Sequence, residues 1–158
     1  MKLHLLEYIR CPACRGRLDL ETPTVPGADD HAEVEEGLLT CCLCKTSYRI
    51  REGIPRLLPP ESLSGRTSTA RTAVRFGCLW SHSDPEENSG TDPYHFDKMA
   101  STLNLREPQG AILDAGCGDG IDLARHAARR GVESIGVELS EGGCRASAAR
   151  IRGCAHAH

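Results

Sequence analysis

Cys11-Pro12-Ala13-Cys14 and Cys41-Cys42-Leu43-Cys44 place two C-x-x-C pairs within the first 44 residues of a 158-residue chain. No other feature restricts the fold as strongly. Two residues between cysteines let both thiolates of a tight turn face one ion, and two such turns complete a tetrahedral four-sulfur site with no open position. The 26 residues between Cys14 and Cys41 exceed the usual spacing, but the cost of closing a loop rises slowly with its length. Cys42 could replace Cys41 only with poorer geometry and is read as a spectator. The expected ligands are therefore Cys11, Cys14, Cys41 and Cys44.

Nine cysteines is an odd number, and Met1-Lys-Leu-His-Leu-Leu-Glu7 lacks the apolar run of an export signal, so a disulfide framework accounts for them poorly. Zinc is preferred over iron because the site is closed and nothing points to electron transfer, although a rubredoxin-like iron site uses the same four thiolates. Such an ion holds together a unit too small to fold on its apolar core alone. With 19 basic and 22 acidic residues spread evenly, the net charge of -3 does not favour nucleic acid as a partner. No stretch approaches the roughly 18 apolar residues of a membrane span, and the expected location is the cytoplasm.

Three regions follow from the pattern along the chain. Residues 1–60 form the metal unit, with Leu3, Leu6 and Ile9 as an amphipathic lead-in, Arg17-Leu-Asp-Leu20 alternating like a strand and Tyr48-Arg-Ile50 as another strand. Residues 21–37, with six acidic positions, Pro23, Pro26 and Gly27, read as a solvated hairpin loop. Gly53-Ile-Pro55 and Pro59-Pro60 close the unit. Residues 61–107 open with linker composition but hold Phe76, Trp80, Tyr94 and Phe96, four of the six aromatic residues, as an expected hydrophobic anchor or, less well supported, a lid.

Residues 108–158 read as strand, glycine turn, helix, strand, helix. Ala111-Ile-Leu113 and Ser134-Ile-Gly-Val137 are the strands. Ile121, Ala124 and Ala128 line the first helix, with Gly131 where its C-terminal cap belongs. Ser140 is the expected N-cap of a second helix bearing Cys144, Ala148 and Ile151, weakened by Gly142 and Gly143. The tail Arg152-Gly-Cys-Ala-His-Ala-His158 is too dispersed to be read as a metal tract.

Leu5-Leu6-Glu-Tyr-Ile-Arg-Cys-Pro-Ala-Cys14, Leu39-Thr-Cys41, Cys44 and Tyr48-Arg-Ile-Arg-Glu-Gly-Ile-Pro-Arg-Leu-Leu58 resemble the zinc-binding domain of the Trm-type methyltransferase-activator family. Gly53-Ile-Pro55 followed by Leu57-Leu58 is the most specific part, because generic zinc ribbons lack it. The resemblance implies a protein partner that is a methyltransferase, or fusion ahead of a methyltransferase domain. The long acidic loop and Cys42 depart from the compact form.

An apolar strand ending in an acid and entering Gly-x-Gly-x-Gly lets backbone approach a ligand closely at the mouth of a parallel sheet. The dinucleotide pattern fails, since its third glycine falls on Ile121 or Leu123. Ile112-Leu-Asp-Ala-Gly-Cys-Gly-Asp-Gly120 instead resembles the first motif of class I S-adenosylmethionine-dependent methyltransferases. That resemblance implies that Asp114 holds the aminoacyl group, directly or through water, that Gly116, Gly118 and Gly120 form the cofactor loop, and that Glu138 takes the ribose hydroxyls. Phe76-Gly-Cys-Leu-Trp80 is similar to a segment found just before such domains in some zinc-ribbon methyltransferases.

The expected architecture is thus a small zinc-ribbon-like α+β domain, a linker, and an incomplete α/β Rossmann-like domain supplying the first two strands of a larger sheet. The usual catalytic positions lie after strands this chain does not contain, and no catalytic residue is assigned. Two functions compete: a truncated S-adenosylmethionine-dependent methyltransferase with a zinc module, and a non-enzymatic module that binds or activates a separate methyltransferase.

Overall fold

The structure, a computed structural model, describes residues 1–21, 33–58, 67–82, 102, 110–127 and 132–155. The chain divides into two compact units, Met1–Thr67 and Ser68–His158.

The first unit is an antiparallel meander in the order β1 (Leu18–Glu21), β2 (Gly37–Cys41), β3 (Ser47–Arg51) and β4 (Ile54–Pro55). A strand turns alternate residues to opposite faces. Register therefore decides which side chains share the core: Leu18 faces Cys41, Leu20 faces Leu39, and Leu39 faces Tyr48. Leu18, Leu39, Cys41, Tyr48 and Ile50 are buried together with Met1 and Cys11. The lead-in expected from Leu3, Leu6 and Ile9 is a 3-10 helix at Leu3–Glu7, and Leu5, Leu6 and Ile9 pack on this core. The chain start is tied down as well, since the Met1 ammonium donates to the Val34 carbonyl at 2.8 Å and Val34 N–H donates to Met1 O at 2.7 Å.

Gly53-Ile-Pro55 is a hairpin in physical terms. Arg51 pairs with Ile54 across a two-residue turn in which Glu52 and Gly53 have φ of 54° and 72°. Positive φ at both central positions matches the right-handed twist of the flanking strands, which explains the glycine. Pro55 sits on the edge strand, where a missing N–H breaks no interior ladder. Most of the acidic loop, Pro59-Pro60, Tyr94, Phe96, Ala128, Gly131 and the last three residues lie outside the described residues.

The second unit pairs β5 (Gly110–Ala115) with β6 (Val132–Val137) in parallel, from Gly110 opposite Val132 to Ala115 opposite Val137. Both strands run longer than the apolar runs alone indicate. Helix α2 (Ile121–Ala127) connects them, and α3 (Glu141–Ala155) follows β6. The region expected to be a linker contains a further helix, α1 (Ser68–Ser81), which belongs to this second unit and packs on α3. Its packed stripe is Ala70, Ala73, Gly77 and Trp80. Leu113 and Val137, on the sheet face away from α2, stay 65% and 55% exposed, so in this mixed α/β unit nothing among the described residues covers that face.

Candidate functional site

Each cysteine pair sits in the same kind of backbone turn. In the first, Cys11 N–H donates to Gly16 O at 2.9 Å and Arg15 N–H to Cys11 O at 2.7 Å; in the second, Cys41 N–H donates to Thr46 O at 3.0 Å and Lys45 N–H to Cys41 O at 3.1 Å. Arg15 and Lys45 both turn the chain through positive φ, 64° and 61°. The repeated turn aims both thiols of each pair at one point.

All four sulfurs, of Cys11, Cys14, Cys41 and Cys44, lie within 4.8 Å of one another. Cys11 and Cys44 are 3.6 Å apart and Cys14 and Cys41 3.4 Å apart. A tetrahedron with metal–sulfur bonds of about 2.3 Å has an edge of roughly 3.8 Å, so the donor set and its dimensions fit zinc. Cys42 stays outside, its thiol 3.0 Å from the Arg17 carbonyl, as expected of a spectator.

The surroundings favour thiolates unevenly. Hydrogen bonds from Thr46 bring the Cys44 thiol down to about 6, and the Tyr48 hydroxyl lowers Cys11. Cys14 receives a lowering hydrogen bond from Gly16 N–H, but the neighbouring thiols, Cys41 foremost, outweigh it and push the group up to about 12. Four sulfurs this close cannot all ionise without a cation, which a divalent metal supplies on binding. Burial pushes the Tyr48 phenol up to about 12, so it remains a donor to the Cys11 sulfur 3.3 Å away. Tyr48, Thr46 and Gly16 support the ligands without any signal in the cysteine spacing. At Gly16 a Cβ would lie only 2.8 Å from Cys41 Sγ, so glycine is required for the knuckles to close on each other.

The glycine turn of the second unit lies at the ends of β5 and β6. Gly116 N–H donates to Val137 O at 2.7 Å, which seats the turn on the second strand. Glu138, just past that strand, accepts from Gly118 N–H at 3.2 Å through Oε2 and from Ser140 N–H and Oγ at 2.8 and 2.7 Å through Oε1. Ser140 Oγ also accepts from Gly143 N–H at 3.2 Å, the expected N-cap of α3. Gly118 and Glu138 are thus brought into direct contact. Asp114 is half-buried on the strand that leads into the turn.

The three loop glycines differ in what surrounds them. A Cβ on Gly118 would come within 2.7 Å of the Trp80 ring, and one on Gly120 would strike Ser147. At Gly116 nothing among the described residues lies within 4 Å of the Cβ position, and its φ of 90° still demands glycine. Close packing therefore explains two of the three, and at Gly116 the left-handed backbone alone does. Gly142 and Gly143 also have a purpose beyond weakening α3: a Cβ on the first would strike Gly77 O, and one on the second would come 2.7 Å from Glu138 Cγ.

Asp119, between the last two glycines, was not singled out by the sequence pattern. Its carboxylate pairs with Arg150 at 2.8 Å, and it lies 3.4 Å from Ile121 N–H at the start of α2. Cys117, in the same turn, has its thiol pushed up to about 11, first by burial, with the Asp114 and Glu138 carboxylates adding to the effect of burial and the hydrogen bond with Ser147 opposing it.

The geometry of the first unit defines a four-cysteine zinc ribbon. The family described as Trm112p-like protein matches residues 2–53. A UPF0434 protein of Vibrio vulnificus is 38% identical over 64 residues, covering 40% of this chain and 88% of that protein. A UPF0434 protein of Bordetella petrii is 34% identical over 73 residues, covering 46% of this chain and 100% of that protein. A chain in the structure of a complex between the Haloferax volcanii Trm112 methyltransferase activator and a methyltransferase is 34% identical, with 39% of this chain and 97% of that chain covered and a TM-score of 0.33. Through its N-terminal zinc-binding domain the chain belongs to the Trm112p-like (UPF0434) family. Among the described residues no helix is long and apolar enough to cross a membrane.

Proposed function

We propose that this chain acts through its first unit as a zinc-held module that binds a methyltransferase and supports its activity. The observation that carries the proposal is the intact four-sulfur cluster of Cys11, Cys14, Cys41 and Cys44, inside a segment that matches the Trm112p-like family from residue 2 to residue 53. Zinc there has no coordination position left for a substrate, so its role is to fix the surface that the ribbon presents. Tyr48 and Thr46 hold two of the ligands from behind, which keeps that surface rigid. The test is affinity capture on the zinc-loaded chain. A methyltransferase retained by the intact chain and lost with Cys11→Ser supports the proposal, and retention by both forms contradicts it.

A second reading concerns the other unit, for which a specific observation speaks: among the described residues nothing crowds Gly116, two residues from Gly118, whose N–H is held by Glu138. This arrangement supports binding of S-adenosylmethionine in a Rossmann-like domain of class I type. Asp114 would serve the cationic aminoacyl end, Gly116, Gly118 and Gly120 the loop, and Glu138 the ribose hydroxyls. The bound cofactor would supply the transferable methyl group. Three hydrogen bonds already engage the Glu138 carboxylate, against about four acceptor positions, so it is pre-positioned with capacity for one ribose hydroxyl, and the second would displace one of the present donors. Calorimetry with S-adenosylhomocysteine tests this: saturable heat that weakens in Glu138→Ala is expected, and no saturable heat refutes it.

A further inference from the structure

We infer that Ser140 is a positioning residue of the ligand site in the second unit, fixing the Glu138 carboxylate so that its Oε2 atom receives a ribose hydroxyl. The inference rests on the S-adenosylmethionine reading of that unit. It goes beyond the loop and acid residues, because Ser140 is fully buried and acts through Glu138, which is half-buried, without touching the ligand itself.

The hydrogen bonds are divided unequally between the two carboxylate oxygens. Oε1 accepts from Ser140 N–H at 2.8 Å and from Ser140 Oγ at 2.7 Å, whereas Oε2 accepts from Gly118 N–H at 3.2 Å. A carboxylate oxygen has about two acceptor positions, so Ser140 fills those of Oε1 and, among the described residues, the remaining one lies on Oε2 beside the loop. A ligand hydroxyl is thereby directed to one oxygen of the pair.

The hydroxyl proton of Ser140 has one direction to take. Gly143 N–H donates to Ser140 Oγ at 3.2 Å and the carboxylate can only accept, so the single O–H of Ser140 points at Glu138. One oxygen atom therefore caps α3 and grips the carboxylate, and a charge-assisted bond of this kind is among the stronger ones. An N-cap needs only the oxygen as acceptor, so the bond from the proton to Glu138 is a second role. Gly143 closes the arrangement from the other side, since a Cβ there would come 2.7 Å from Glu138 Cγ, 2.8 Å from Ser140 Oγ and 3.0 Å from Gly118 O. Turning the carboxylate away from Ser140 would give up both bonds on Oε1 at once.

Ser140→Gly separates the two roles, because glycine replaces serine at an N-cap with little loss while the hydroxyl donor disappears. The intact zinc-loaded protein and this variant are titrated by calorimetry with S-adenosylhomocysteine and with an analogue of it lacking both ribose hydroxyls, and their unfolding midpoints are compared. The expected variant unfolds near the wild-type midpoint, binds S-adenosylhomocysteine about tenfold more weakly, and binds the analogue within about twofold of wild type. Equal weakening for both ligands, or loss of cooperative unfolding in the variant, makes the hydroxyl purely structural and overturns the inference while leaving the cofactor reading standing. Unchanged affinity for S-adenosylhomocysteine does the same. No saturable heat with S-adenosylhomocysteine in the wild type overturns both.

Discussion

Arg150 clamps Asp119 twice: Nε donates to the Asp119 carbonyl at 3.1 Å and Nη2 to its carboxylate at 2.8 Å, from a helix 31 residues further along the chain. The Asp119 side chain is only 6% exposed and that of Arg150 18%. Removing one partner of such a pair leaves an uncompensated buried charge. Arg150→Met is therefore expected to destabilise the second unit by about 3–5 kcal/mol, read from chemical denaturation. Asp119→Asn combined with Arg150→Met should recover part of that loss, and a double variant as unstable as the sum of the singles would refute the clamp.

The close approach at Gly16 gives a second prediction. In Gly16→Ala the new methyl group would sit 2.8 Å from Cys41 Sγ and crowd Leu43 at about the same distance. Both knuckles have to shift to relieve it, at a cost of about 1–3 kcal/mol. Competition with a chromophoric chelator should show faster zinc loss than in the wild type. Equal rates would mean that the knuckles adjust freely.

Cys117 supplies a pH-dependent prediction. Its thiol is raised from 9.0 to about 11, mainly by burial. Between these values the unfolded chain has released its proton while the folded chain keeps it, so the folded state binds more protons and stability falls with rising pH. The stabilising contribution is complete below about pH 9 and lost toward pH 11. Reactivity follows the same cause, because the thiolate is the nucleophile. At pH 8, iodoacetamide should alkylate exposed Cys78 well before Cys117. Comparable rates would contradict the burial of Cys117.

Metal removal addresses the first unit as a whole. Its core rests on a few side chains around Leu39, Tyr48 and Ile50, and two of the ligands, Cys11 and Cys41, are part of that core. Binding of a structural zinc contributes on the order of 10 kcal/mol in comparable small units. One zinc per chain by elemental analysis, a colourless protein, and loss of the unit's cooperative unfolding on chelation are expected. A red protein with iron at the same stoichiometry would replace zinc with a rubredoxin-like centre.

The ligand set was legible because C-x-x-C spacing is a local constraint, and Gly53-Ile-Pro55 because its turn needs positive φ at fixed positions. Ser140 could be read as a cap for the same local reason. Helix α1 could not be read this way. Its packed stripe of Ala70, Ala73, Gly77 and Trp80 is built mostly from small residues, which carry little hydrophobic periodicity, so Ser68-Thr-Ala-Arg-Thr72 reads as linker. Gly142 and Gly143 look like flaws in a helix until the approach of Gly77 and of Glu138 is known. The Asp119–Arg150 clamp joins residues far apart in sequence, and no local pattern announces it.

The most direct test of the central claim is methyl transfer by the methyltransferase captured on this chain, measured with and without the zinc-loaded protein. The account predicts a faster rate with the chain present, and no gain with Cys11→Ser or with the metal-stripped form. An unchanged rate with the zinc-loaded chain, or an equal gain from the metal-stripped one, would contradict it.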